Sequence, residues 1–222
     1  MINSVKPNLI VSDSRGAWFR ATILFILALI GTVGMWSVVV FIPDIEKEFG
    51  LDRGTSSLLY AFTMIGFGFG TVVIGKVYDK FGIKKPILLA TFVLITSYYF
   101  YSIFPFYWQF LILQFFMGFA ASAFFGPAMA DISNFFNKQR GFALSIVASA
   151  NYVAGATWPL LIGYFLTFID WRAAHFWISI CLFIMIPLIL LLKNASVDES
   201  KSHDMKQRYK DIRLDLSNNQ IQ

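Results

Sequence analysis

Six apolar runs, each long enough to cross a lipid bilayer and separated by short polar connections, decide what this chain can fold into. Backbone N–H and C=O groups in hydrocarbon must be paired within their own segment, so runs of this kind become helices. They fall at about 17–42, 56–74, 86–104, 109–130, 141–169 and 173–192. One crossing takes about 20 residues, so a chain of 222 residues holds about six and leaves little for a soluble domain. With 57% of residues hydrophobic and 14% charged, the composition lies outside the soluble range. The expected fold is all-α, a polytopic membrane protein with six transmembrane helices over 17–192. A polar N-terminal segment at 1–16 precedes it, and a polar tail or linker at 193–222 follows.

The formal charge of +5 sits in the connections between runs, which points to orientation in a membrane and away from a nucleic-acid partner. Fifteen of the eighteen lysines and arginines belong to the N-terminus, the second-to-third and fourth-to-fifth connections and the tail. Lys47, Arg53 and Arg172 are the three on the other side, where Asp44, Glu46, Glu48 and Asp52 gather. Basic residues accumulate on the cytoplasmic face, so both termini are expected there, in a multi-pass plasma (inner) membrane protein in contact with lipid. The first run lacks a small-residue cleavage site and reads as a retained span.

Within the runs, a few residues ask for a reason. Pro43 is expected to close the first helix, and 43–55 to form an outer loop. Arg20, one turn inside its run, reads as an arginine snorkelling to the headgroups. Gly66 and Gly70 share a helix face, as do Gly118, Ser122 and Gly126, which suits close helix approach. On the fifth run Asn151, Gly155, Pro159 and Gly163 follow one another at four-residue steps, a packing and kink face. Gln114 and Asn151 read either as solute contacts or as hydrogen bonds between helices, and Trp36 either as pathway or as core. Asp131 is expected to cap a helix end or pair with a nearby lysine, His175 to be interfacial, and Cys181 to be a buried structural thiol. In the tail, Met205, Tyr209, Ile212 and Leu216 allow an amphipathic surface helix or a disordered segment. The sequence contains no Ser/His/Asp set, no metal-ligand cluster and no phosphate-cradling glycine loop, so neither an enzyme nor a cofactor or metal site is expected.

The second connection, 75–85, holds Gly75, Asp79, Lys80, Gly82, Lys84 and Lys85 and reads as a tight basic turn. It resembles the signature turn between the second and third helices of major facilitator superfamily transporters. The segment Phe41-Ile42-Pro43 with Glu48-Phe49-Gly50-Leu51, and the turn Asp170-Trp171-Arg172, are similar to loops of the monocarboxylate and oxalate–formate exchanger-like branches. Gln114 stands four residues before Gly118, where many members carry an arginine. The resemblance covers 17–192 and implies the N-terminal six-helix half of that fold, with the tail as the linker. It further implies transport of a small-molecule solute, a carboxylate anion, by alternating access, with a second six-helix half or a homodimer partner. Residues 75–85 would then serve a cytoplasmic gate, and Trp36, Gln114 and Asn151 the solute pathway. The alternative is a non-transporting truncated or regulatory membrane protein that keeps the half-fold.

Overall fold

A computed structural model of the chain describes residues 12–192, and every regular element among them is helical. Helices α1 (Arg15–Gly31) and α2 (Val33–Phe49) build the first span, α3 (Arg53–Phe81) the second and α4 (Lys84–Ile103) the third. The fourth joins α5 (Tyr107–Ala121) to α6 (Gly126–Phe135) through a 3₁₀ turn at Ser122–Phe124. Helix α7 (Arg140–Phe165) is the fifth span; α8 (Trp171–Cys181), a 3₁₀ turn at Leu182–Ile184 and α9 (Met185–Leu191) make the sixth. These are six helical segments long and apolar enough to cross a bilayer. The tail segment around Met205, Tyr209, Ile212 and Leu216 lies outside the described residues.

Side-chain caps start three of the spans. Ser14 accepts the Ala17 N–H at 3.3 Å, Asp52 accepts those of Gly54 and Thr55 at 3.0 and 3.3 Å, and Asp170 accepts that of Ala173 at 2.6 Å. Pro43 does not close the first helix as expected: α2 runs on to Phe49 and ends at Gly50, whose φ of 63° suits glycine. A proline removes one intrahelical bond, and here its neighbours in the helix carry the chain past it. The connection expected at 43–55 shrinks to Gly50–Asp52, and its acidic residues Asp44, Glu46 and Glu48 stand on α2. Likewise 75–85 is mostly helix. Gly75 lies inside α3, and the turn proper is Gly82, at φ 72° and ψ −175°, followed by Ile83.

The spans pair off as second with fourth, third with sixth, and first with fifth, while α3 and α7 remain the least covered. Glycine makes the α3–α5 seam possible. A Cβ on Gly66 would lie 2.0 Å from the Phe115 carbonyl oxygen, and one on Gly118 would lie 1.9 Å from that of Thr63. In lipid, such backbone proximity replaces the missing hydrophobic drive for helix association.

Two breaks meet inside the bundle. At Thr32 the first span changes from α1 to α2, and the Thr32 hydroxyl donates to the Ala28 carbonyl at 2.8 Å. The ring of Phe124, in the 3₁₀ turn of the fourth span, packs so tightly on Gly31 that a Cβ there would be 2.4 Å from it.

Candidate functional site

Polar groups gather at both ends of the spans and at a few places between them. Nearest the basic end, the Arg20 guanidinium donates to Asp131 through Nε at 2.6 Å and Nη2 at 2.9 Å, both residues being buried. The Phe135 ring lies 4.6 Å from the arginine carbon. Arg20 therefore does not snorkel, and the partner of Asp131 is an arginine of the first span in place of a lysine close in sequence. The amphipathic length of arginine permits either arrangement; the acid at the matching depth on α6 decides.

At the same end Asp13, at φ 56°, accepts the backbone N–H groups of Asn137, Lys138 and Gln139 at 3.1–3.2 Å and so clasps the connection between α6 and α7. Burial pushes its carboxyl up, but these three donors and the nearby Lys138 charge outweigh burial and hold it below the usual carboxylate range. On the neighbouring basic turn, Lys80 and Lys85 flank the exposed Phe81 ring at 5.3 and 4.4 Å. Asp79 is exposed, with no hydrogen bond or ion pair among the described residues.

At the opposite, acidic end, Glu48 accepts the Trp171 indole N–H at 2.8 Å and the Arg172 guanidinium at 2.6 Å. Arg172 also donates to the Phe104 carbonyl at 2.8 Å. The Asp-Trp-Arg turn thereby ties the ends of the first, third and sixth spans. His175, expected at the interface, is buried instead: its ring stacks on Tyr101 at 4.4 Å and lies 4.0 Å from Phe41, while Nδ1 donates to the Trp171 carbonyl at 2.7 Å. Cys181 departs from expectation the other way. It is exposed, on the wall of an almost wholly apolar groove of about 500 Å³ between α7 and α8, shared with Trp158, Phe165 and Trp177.

Gln114 and Asn151 sit in different surroundings. Gln114 is buried, its carbonyl accepting the Thr63 hydroxyl at 2.9 Å and its amide donating to the Tyr101 hydroxyl at 3.3 Å. It links α3, α4 and α5. Asn151 is half-buried on α7, and its Oδ1 accepts the Trp36 indole N–H at 3.2 Å. The Trp36 ring also lies against Gly155, where a Cβ would be 3.0 Å from it. One turn on, the Trp158 indole donates to the Leu29 carbonyl at 2.8 Å, just before the break at Thr32. Pro159 is half-buried, and Gly163 has open space where a side chain would stand. Of the three pathway candidates, Trp36 and Asn151 are thus brought together on the first and fifth spans, and Gln114 lies apart.

A family model described as Major Facilitator Superfamily matches residues 24–219. The chain belongs to the major facilitator superfamily. Among relatives, the MFS-type transporter pynF of Aspergillus niger is 28% identical over 151 residues, covering 66% of this chain and 34% of that protein. The uncharacterized MFS-type transporter YdgK of Bacillus subtilis is 25% identical over 180 residues, 78% of this chain and 44% of that protein. The inner membrane transport protein YnfM of Escherichia coli is 23% identical over 172 residues, 76% of this chain and 41% of that protein. The chain spans less than half the length of each of these relatives. Major facilitator proteins are built from two six-helix halves with the solute site near the midplane between them. This multi-pass membrane protein has the six spans of one such half.

The Arg20–Asp131 pair, the Glu48 clasp and the Asp13 clasp have no counterpart among the expectations from sequence. Each of the three joins residues far apart in the sequence, whose nearness only the packed bundle reveals.

Proposed function

We propose that the chain is one half of a transporter that carries a small solute, a carboxylate anion, across the plasma (inner) membrane by alternating access. It works against a second six-helix half, on the same protein, on another chain or in a second copy. The observation that carries this reading is the half-buried amide of Asn151, held by Trp36 near the middle of a span, on a helix that the bundle leaves largely uncovered. Polar groups within spans face a bundle interior or a water-filled route, so this face is turned toward a second half.

Trp36 and Asn151 then line the route. The face of Gly155, Pro159 and Gly163 lets the fifth span bend, because Pro159 has no N–H for the Gly155 carbonyl. Gln114 is assigned to tethering α3, α4 and α5. Gly75, Asp79, Lys80, Gly82, Lys84 and Lys85 form the cytoplasmic gate element, with the exposed Asp79 carboxylate available to a cation or helix end of the second half. The lysine and arginine distribution supports cytoplasmic termini. The carboxylate assignment rests on the two loop resemblances alone.

Purified chain is reconstituted in proteoliposomes, alone and with a co-expressed second half, and uptake of radiolabelled lactate, oxalate and benzoate is measured. Saturable uptake of at least one acid is expected in a preparation containing twelve spans. Absence of uptake in every preparation overturns the proposal.

A further inference from the structure

The Trp36 indole N–H can only donate, so the amide it bonds must present its oxygen, and this fixes the orientation of Asn151. The Asn151 nitrogen Nδ2, with two N–H groups, then points away from Trp36 and has no hydrogen-bond partner among the described residues. No fully buried side-chain nitrogen or oxygen among those residues lacks a partner, so Nδ2 is not sealed inside the bundle, on a helix that the bundle leaves largely uncovered. Asn151 stands about 16 Å along α7 from Arg140, near the middle of the span, where lipid offers the amide nothing to bond. The ring of Trp36, seated on Gly155, forms a flat apolar floor beside it.

The charges around this amide are equally informative. Neither 21–46 nor 141–171 contains a lysine or arginine, and Arg20 is engaged by Asp131. The walls built by the first and fifth spans can therefore hold an acceptor only through neutral donors.

We infer that the Asn151 Nδ2 group, oriented by Trp36, is the solute-recognising donor of this half, giving its N–H groups to a carboxylate oxygen of the solute. The inference rests on the transport reading above and names the contact within it. A carboxylate is acceptor-only and matches an amide donor pair, and the Trp36 ring covers the apolar part of the molecule. Trp36 is a positioning residue in this arrangement: it keeps the amide from rotating its oxygen toward the anion.

The test compares variants that break the Trp36–Asn151 bond with and without removing the donors. Kinetics of the best-transported acid among lactate, oxalate and benzoate are measured in proteoliposomes for wild type, Trp36→Phe, Asn151→Leu and Asn151→Asp. Thermal unfolding and co-purification with the second half serve as folding controls. A binding donor gives Asn151→Leu a KM at least about tenfold above wild type, with Trp36→Phe within about threefold, as loss of a hydrogen bond to a charged group requires. Asn151→Asp keeps an acceptor for Trp36 and loses the donors, so its KM rises as well. If Asn151 is only a tether, Asn151→Leu and Trp36→Phe match each other and Asn151→Asp behaves as wild type, which overturns the inference while leaving transport intact. Loss of co-purification in Asn151→Asp overturns it too, by assigning the amide to the second half. Failure of wild type to take up any acid overturns the transport reading itself, and the inference with it.

Discussion

Arg20 and Asp131, 111 residues apart in the sequence, form one buried two-pronged ion pair that joins the start of the first span to the end of the fourth. Removing a single partner leaves an uncompensated charge in a low-dielectric setting, whereas removing both leaves a void that apolar side chains can fill. Arg20→Ala or Asp131→Ala should therefore lower stability by about 3–5 kcal/mol, and the double replacement Arg20→Met with Asp131→Leu should recover most of that loss. Thermal unfolding of the four proteins in detergent makes the comparison. Equal stability of the single variants and wild type would show that the pair is not sealed from water.

The α3–α5 seam predicts a contrast between neighbouring glycines. Gly66→Ala places a methyl group against the Phe115 backbone and should destabilise by about 1–3 kcal/mol or more. Gly68→Ala, two residues away, meets nothing within 4 Å and should be neutral or slightly stabilising, as alanine is the better helix former. Unfolding temperatures of the two variants, measured side by side, decide whether the seam is as close as described.

Gln114→Leu removes two interhelical hydrogen bonds, each worth about 0.6 kcal/mol in membranes. A modest fall in unfolding temperature is expected. A KM change above about threefold in the uptake assay would place Gln114 on the solute route.

Asp13 gives a pH dependence with a definite sign. Its carboxyl is held below the ordinary value of about 3.9, so the stability it contributes is fully present above that value and lost as pH falls through the lowered one. Asp13→Ala should cost about 1 kcal/mol or less at pH 7, because the group is only partly buried and screened by solvent, and the gap to wild type should close under acid. Unfolding of both proteins from pH 7 to pH 3 tests this; a gap that widens under acid contradicts the clasp.

Orientation is open to a separate measurement. A reporter domain fused after Gln222 should read cytoplasmic, as should an introduced cysteine at Lys84 probed with a membrane-impermeant thiol reagent. An external reading at either position would reverse the proposed topology.

The six spans were legible because hydrocarbon allows the backbone one solution, and run length reports it without any knowledge of packing. Gly66 and Gly118 were legible for a related reason: small residues at helical spacing have few other uses in lipid. The interruptions at Thr32 and Ser122–Phe124 were not, because what brings them together, the Phe124 ring against Gly31, exists only in the packed bundle. His175 and Arg20 misled in the same manner. Both stand near the end of an apolar run, and sequence position alone does not say whether the neighbouring helices extend far enough to bury them. Trp36 and Asn151 were each visible as odd residues, but 115 positions separate them, and only the packed first and fifth spans make them one unit.

The abutting interruptions of the first and fourth spans divide this half-bundle into two storeys. The lower is pinned by Arg20 and Asp131, the upper by Glu48 and Arg172, and between them lies a waist where two backbones have already surrendered regular helical pairing. In the first and fourth spans a shape change at this level bends no regular helix, since the joint is built in at Gly31 and Phe124, while α3, α4 and α7 run past it unbroken.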